Sequence, residues 1–356
     1  MEDVIKIFIS AATSFFLGMM MTPLLTHYLY KYKAWKKAPG KIALDGSNAQ
    51  VYGSLHGEME IKTPRMGGLI IWVSTAVTAL IYILSASVFD TEFFARMNFI
   101  SRSQTWLPLF AIIVGGLVGL SDDLLEIREK RESDRSGGLS LNKRLLIVGA
   151  IALFAALWFY TKLEINAIAI PFDSELYLGI LFIPIFVLIA LTVYAGGVID
   201  GIDGLAGGVF AVIYSAYAAI AFFQDQPNLA AFCAAVAGSI LAFLWYNIPP
   251  ARFYMSETGS MALTIVLVMV AFLTDTLTEG IGVSALFIIA LPLFLTVLSN
   301  VLQIASKRFF GRKIFRVAPL HHHFEAIGWS SYKVTMRYWI ISVVLGIIGV
   351  IFALTG

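Results

Sequence analysis

Cysteine is almost absent from the sequence. The single Cys233 excludes an intrachain disulfide and speaks against a cysteine-rich metal site. Charge is scarce as well, at 13% of residues against 59% hydrophobic ones, and the mean hydropathy is +0.83. That balance excludes an ordinary soluble domain and points to a polytopic membrane protein. A formal net charge of +2 says little by itself, since the position of each charge along the chain carries the information, and no nucleic-acid partner is expected. The N-terminus lacks both a basic n-region and a small-residue cleavage site, so it reads as a retained first span. Histidine is rare too. Of five in the chain, three are consecutive: His321, His322 and His323.

At about 20 apolar residues per crossing, the sequence predicts an all-α fold with spans near 4–30, 66–88, 105–121, 144–161, 175–196, 204–223, 228–247, 260–275, 283–305 and 335–354. These amount to about ten helices in a single integral membrane domain over 1–356, with no repeat or separable soluble part. Lys31, Lys33, Lys36, Lys37, Lys41, Lys62 and Arg65 follow the first span, and Arg128, Lys130, Arg131, Arg135 and Lys143 follow the third. Because Lys and Arg are retained on the cytoplasmic side, both termini are expected outside. Pro292 predicts a bend in the ninth helix.

With that topology every polar cluster falls at one face. Asp122 and Asp123 end the third span. Adjacent carboxylates favour a cation, a basic partner or a raised pKa on one of them, although a hydrated helix end is the plainer reading. The glycine-rich turn YAGGVIDGIDGLAGGV carries Asp200 and Asp203, and a ligand could approach its backbone closely; a tight turn with aspartate caps would look the same. WYNIPPARFYMSETGS supplies Asn247, Tyr254 and Glu257. Glu257 suits a hard divalent cation or simply the first turn of a helix. A loop over 306–334 then sets Lys307, Arg308, Arg312, Lys313 and Arg316 ahead of the histidine triplet. Topology alone accounts for the basic residues, but not for the histidines. Carboxylates around a metal-bridged phosphate, with cations at the rim, are the constellation of phosphoryl transfer.

These motifs, TPRMGGLIIW (63–72), Asp122-Asp123, GLS (138–140), DGIDGLAGG (200–208) and VLQIASKRFFGRKIFRVAPLHHHFEAIGW (301–329), resemble the polyprenyl-phosphate N-acetylhexosamine-1-phosphate transferase superfamily. Within it, the unbroken histidine triplet is most similar to the branch that transfers phospho-N-acetylmuramoyl-pentapeptide. The resemblance implies a multi-pass enzyme of the bacterial cytoplasmic (inner) membrane with a cytoplasmic active site and a magnesium requirement. It would join UDP-MurNAc-pentapeptide to undecaprenyl phosphate among the membrane lipids, making lipid I for peptidoglycan and releasing UMP. By the same resemblance Asp122, Asp123, Asp203, His321, His322 and His323 are candidate catalytic residues, with Asp122 the base that deprotonates or orients the lipid phosphate. Asp200, Gly201, Ile202, Asn247, Tyr254, Arg65 and Arg144 would bind substrate, Tyr254 by stacking on uracil, and Glu257 would hold magnesium.

The chain departs from the pattern at several positions. Gly197 and Tyr194 stand where the superfamily has asparagines, Glu257 replaces a metal-binding aspartate, Arg65 a threonine, Arg144 a lysine, and Glu60 an upstream lysine. Two other readings remain open: a relative handling another UDP-linked amino sugar, and a non-enzyme that binds lipid or nucleotide, or carries ions. A carrier would place charge near mid-bilayer, whereas here it gathers at one face. Whether the protein forms a homodimer is open at this stage.

Overall fold

In lipid a backbone must satisfy its own hydrogen bonds, so long apolar runs become helices. The computed structural model describes residues 2–37, 61–101, 104–128, 138–172, 175–275 and 280–356. In chain order the helices are α1 (Glu2–Lys31), α2 (Leu69–Val88), the short α3 (Glu92–Met97), α4 (Trp106–Arg128), α5 (Leu141–Lys162), α6 (Phe182–Gly196), α7 (Leu205–Phe223), α8 (Pro227–Asn247), α9 (Ser256–Leu273), α10 (Gly282–Ile289), α11 (Leu291–Phe310), the short α12 (Leu320–Ala326) and α13 (Ser331–Thr355). Among the described residues, nine helices are long and apolar enough to cross a membrane, counting α6 with its flanking 3-10 turns. The number is ten if the bent pair α10–α11 is one span. The chain is a multi-pass membrane protein, as its composition predicts.

Three expectations need correction. The span predicted from 175 begins only at Gly179, because Glu175–Tyr177 forms a strand, β2, antiparallel to β1 (Ala167–Ala169), with Ala167 opposite Tyr177. The ninth span is two helices that meet at Ala290 with a 67° bend. Pro292 sits in the first turn of α11, where its missing N–H leaves no hydrogen bond unmade. The 306–334 segment is not an open loop: it holds the end of α11, the whole of α12, which carries the histidines, and the start of α13. Glu60, Lys41, Lys130, Arg131 and Arg135 lie outside the described residues.

Burial ranks the helices. In α9 94% of the most apolar window is buried inside the protein, against 22% in α1 and 28% in α13, so α9 is the central post and its first turn carries Glu257 and Thr258. Elsewhere the bundle closes through small residues, as helices in lipid commonly do. Ser10, Ser14, Gly18 and Thr22 recur every fourth position along the buried face of α1, which packs on α8.

α11 is amphipathic in an inverted sense. Its outward side carries Leu295, Leu298, Val301 and Leu302, while Thr296, Ser299, Gln303 and Ser306 are buried. That polar face holds the segment before the histidines. Gln303 Oε1 accepts the N–H groups of Ile314 (3.1 Å) and Phe315 (3.0 Å), and its Nε2 donates to Phe315 O (3.0 Å). Ser306 Oγ donates to Arg312 O (2.8 Å), and Ser299 Oγ accepts from Leu320 N (3.0 Å).

At the opposite end of α9, Asp275 joins the hairpin to α10. It accepts the N–H groups of Ala169 and Val283, each at 2.9 Å. Burial pushes this carboxyl up to about 7.

Candidate active site

The site is built where α4 ends beside the start of α9. Gly119 permits the contact, since a Cβ there would lie 2.1 Å from Glu257 O. The approach sets Asp122 and Asp123 against Glu257 and Thr258. A second backbone seam closes the other side, with Gly67 N donating to Tyr254 O (2.8 Å) and Tyr254 N to Pro64 O (2.8 Å). The TPRMGG and FYMSE motifs are thereby neighbours.

The paired aspartates have different surroundings. Asp123 Oδ1 accepts Nε and Nη2 of Arg65, both at 3.3 Å, and Oδ2 accepts Thr258 N (2.9 Å) and Thr258 Oγ1 (2.6 Å). Four donors match the acceptor capacity of an ionised carboxylate, so Asp123 ties α4 to α9 and to the segment before α2. Asp122 Oδ1 accepts Leu139 N at 2.6 Å, and Oδ2 faces Arg144 Nη2 at 2.9 Å. Arg144 Nη1 also reaches Glu257 Oε1 at 2.6 Å, while the Tyr194 hydroxyl lies 3.5 Å from Glu257 Oε2. Three of the departures therefore meet, with Arg144 and Tyr194 on either side of the Glu257 carboxylate.

Arg65 pairs with Glu126 Oε2 as well (2.9 Å), and Lys36 Nζ meets Glu126 Oε1 at 3.1 Å. Burial would weaken the Arg65 guanidinium's hold on its proton, but Glu126 and Asp123 outweigh it and keep the group firmly charged. Asp122, Asp123, Glu126 and Glu257 thus set four carboxyl groups against the three cationic side chains of Lys36, Arg65 and Arg144. A dication would turn this local balance positive, which suits an anionic phosphate ligand.

The donor set can be tested against magnesium. Among the described residues no three His, Cys, Asp or Glu side chains form a ready ligand cage. Two hard oxygens, Asp122 Oδ2 and Glu257 Oε1, nevertheless converge on one cationic position, that of Arg144, at 2.9 and 2.6 Å. Magnesium is commonly held by one or two carboxylates together with substrate phosphates, and these residues fit that pattern.

The glycine-rich turn docks on both sides of the site. Asp200 Oδ2 accepts Ser256 N (2.8 Å), Asp203 Oδ2 accepts Ala251 N (2.9 Å), and Thr335 Oγ1 donates to Asp203 O (3.1 Å). The Asn247 carboxamide bridges loops, its Oδ1 accepting Gly204 N (3.0 Å) and its Nδ2 donating to Phe253 O (2.9 Å). Ile202 is buried in the apolar core, and Tyr254 is half-buried. The histidines arrive from α12: a Cβ on Gly201 would lie 2.6 Å from His321 Nε2 and 2.8 Å from His322 Nε2. His323 turns elsewhere, with Nδ1 accepting Arg316 N at 3.2 Å and its ring 5.4 Å from that of Phe315. The structure thus joins Asp122, Arg144, Glu257, Asp200, Gly201, His321 and His322 through contacts or adjacent residues, and separates His323 from the turn.

A family model described as glycosyl transferase family 4 matches residues 105–275, which include every carboxylate of the site except Glu325. Curated relatives named phospho-N-acetylmuramoyl-pentapeptide-transferase extend the likeness well beyond that stretch. The protein from Geobacillus thermodenitrificans (strain NG80-2) is 30% identical over 352 residues, covering 97% of each chain. That from Clostridium botulinum (strain Eklund 17B / Type B) is 30% identical over 339 residues, 95% of this chain and 93% of its own. This chain belongs to the phospho-N-acetylmuramoyl-pentapeptide-transferase family. As a member it is a phosphoglycosyl transferase.

Four partners in this candidate site had no role assigned from sequence. Glu126 is distant in the chain from Lys36 and Arg65, and Thr258 from Asp123, although Glu126 repeats the Asp122 face one helical turn on; Ser331 meets Glu325 from only six residues away. Glu325 stood in plain view three residues after His322, a spacing that places two side chains on one helix face.

Proposed function

We propose that the protein transfers phospho-N-acetylmuramoyl-pentapeptide from UDP to undecaprenyl phosphate at the cytoplasmic face of a bacterial inner membrane, with magnesium, yielding lipid I and UMP. The observation that carries this reading is the common position reached by Asp122 and Glu257, at 2.9 and 2.6 Å from the two ends of the Arg144 guanidinium, beside the Asp200–Asp203 turn that meets the histidines. Magnesium held by Glu257 would draw charge from the diphosphate as the bridging bond breaks, with Asp122 left to the lipid phosphate.

In this reaction an oxygen of the lipid phosphate forms a bond to the phosphorus that carries the sugar, and the bond from that phosphorus to the bridging oxygen breaks to release UMP. Asp122 orients the lipid phosphate and takes its proton where one is present. Arg144 and Arg65 keep the carboxylates in place and offset their charge, so that an anionic donor meets a site close to neutral. The turn from Asp200 to Asp203 holds the nucleoside, with Tyr254 beside it. His321 and His322 contribute ring N–H groups to phosphate oxygens as negative charge develops, a contribution that is large when the donors are preorganised.

The test uses purified protein, undecaprenyl phosphate, magnesium and a panel of UDP-sugars, scored by UMP release. UMP should appear with UDP-MurNAc-pentapeptide and stop when magnesium is chelated. Release only with a simpler UDP-amino sugar would reassign the donor, and no release with any donor would overturn the reading.

A further inference from the structure

Glu325 lies on α12 one turn beyond His322, and its two oxygens have separate jobs. Oε2 is 2.7 Å from His322 Nδ1, while Oε1 accepts Ser331 Oγ at 2.6 Å. The pair is closed off from water, each side chain only 4% exposed. An ionised carboxylate can only accept hydrogen bonds. Its contact therefore requires the proton on His322 Nδ1 and leaves Nε2 as the nitrogen turned to Gly201, where an added Cβ would stand 2.8 Å away.

We propose that Glu325, held by Ser331, is a positioning residue that fixes the tautomer and ring angle of His322, so that Nε2 addresses the ligand at the Asp200–Asp203 turn. The logic is that of any imidazole whose second nitrogen is pinned by a carboxylate: the hydrogen bond at one nitrogen decides what the other can do. Protonated, His322 donates Nε2–H to a phosphate oxygen, and the neighbouring carboxylate stabilises that cation in a buried setting. His323 has no such arrangement, since its Nδ1 accepts from Arg316 N. The triplet thus contains one histidine with a buried carboxylate partner on its own helix, and the distance of three residues that creates the pair exists because residues 320–326 are helical.

The inference rests on the proposed transferase reaction for its kinetic consequence, but its structural part can be read without turnover. With only five histidines in the chain, selectively nitrogen-15-labelled histidine gives a simple spectrum in which His322 is assigned by its loss in His322→Gln. The wild-type resonance should show Nδ1 protonated, and Glu325→Gln should change it while sparing His27. A wild-type His322 with a bare Nδ1 overturns the proposal whether or not UMP is ever released. In the UMP assay, Glu325→Gln should lower kcat about tenfold or more with little change in KM for the donor, and Glu325→Asp should recover part of the loss. Ser331→Ala, a milder change, should reduce kcat in the same direction by less. In a His322→Gln background Glu325→Gln should cost nothing further. Wild-type kcat in Glu325→Gln, or a full additional loss in the double variant, overturns the positioning role.

Discussion

Two adjacent aspartates in the same helix end differ in their partners. Asp123 is saturated by Arg65 and Thr258, whereas Asp122 shares Arg144 with Glu257. Asp122→Asn should therefore lower kcat by about a hundredfold or more while donor KM changes little, because the loss belongs to the reacting lipid phosphate. Asp123→Asn should instead lower stability, by roughly 3 kcal/mol if the pair with Arg65 is broken without replacement. Its rate and donor affinity should fall together, as Glu257 shifts with the loosened first turn of α9. Thermal unfolding and steady-state kinetics on both variants check the division; equal kinetic profiles would show that the two carboxylates act alike. Adjacent Asp122 and Asp123 were legible in the sequence as a pair, but their inequality was not, since Arg65, Arg144 and Thr258 reach them from 58, 22 and 135 residues away.

Among the elements, the long apolar helices were legible because a run of about 20 apolar residues has few other fates. The hairpin was not, for strands of three residues carry too little alternation to separate them from the start of the next span. α12 escaped notice because seven residues with three histidines show no apolar face, and the break at Ala290 because Pro292 fits a first turn as well as an interior bend. The hairpin has a pH consequence through Asp275. Its carboxyl is pushed from the ordinary range up to about 7, so the folded protein keeps a proton that the unfolded chain has already lost. The stabilisation this lends is complete on the acid side of the ordinary carboxylate value, about 4, and is lost as pH rises through about 7. The thermal stability of wild type should accordingly fall between about pH 4 and about pH 7, and Asp275→Asn should flatten that slope; an unchanged slope would exclude Asp275 as its source.

At the scale of the whole molecule the site is a meeting of segments made at different times. Lys36 and Arg65 precede α4 in the chain, while Arg144, Thr258 and the histidines follow it. When α4 leaves the ribosome, Asp123 must enter a membrane-facing environment before Thr258 exists, and carboxylates there are costly without a partner. Arg65 is the counter-charge already synthesised that pairs with it. The Arg65–Asp123 contact is therefore expected to support insertion of the third span, a consequence separate from turnover. Chains truncated in the loop after α4 should insert that span less completely when Arg65 is replaced by Ala, as read by protease protection, and full-length chains with Arg144→Ala should insert it normally. The ion pairs thus carry an order of synthesis: Arg65 precedes Asp123 in the chain, and Thr258, the last partner of that carboxylate, follows it by 135 residues.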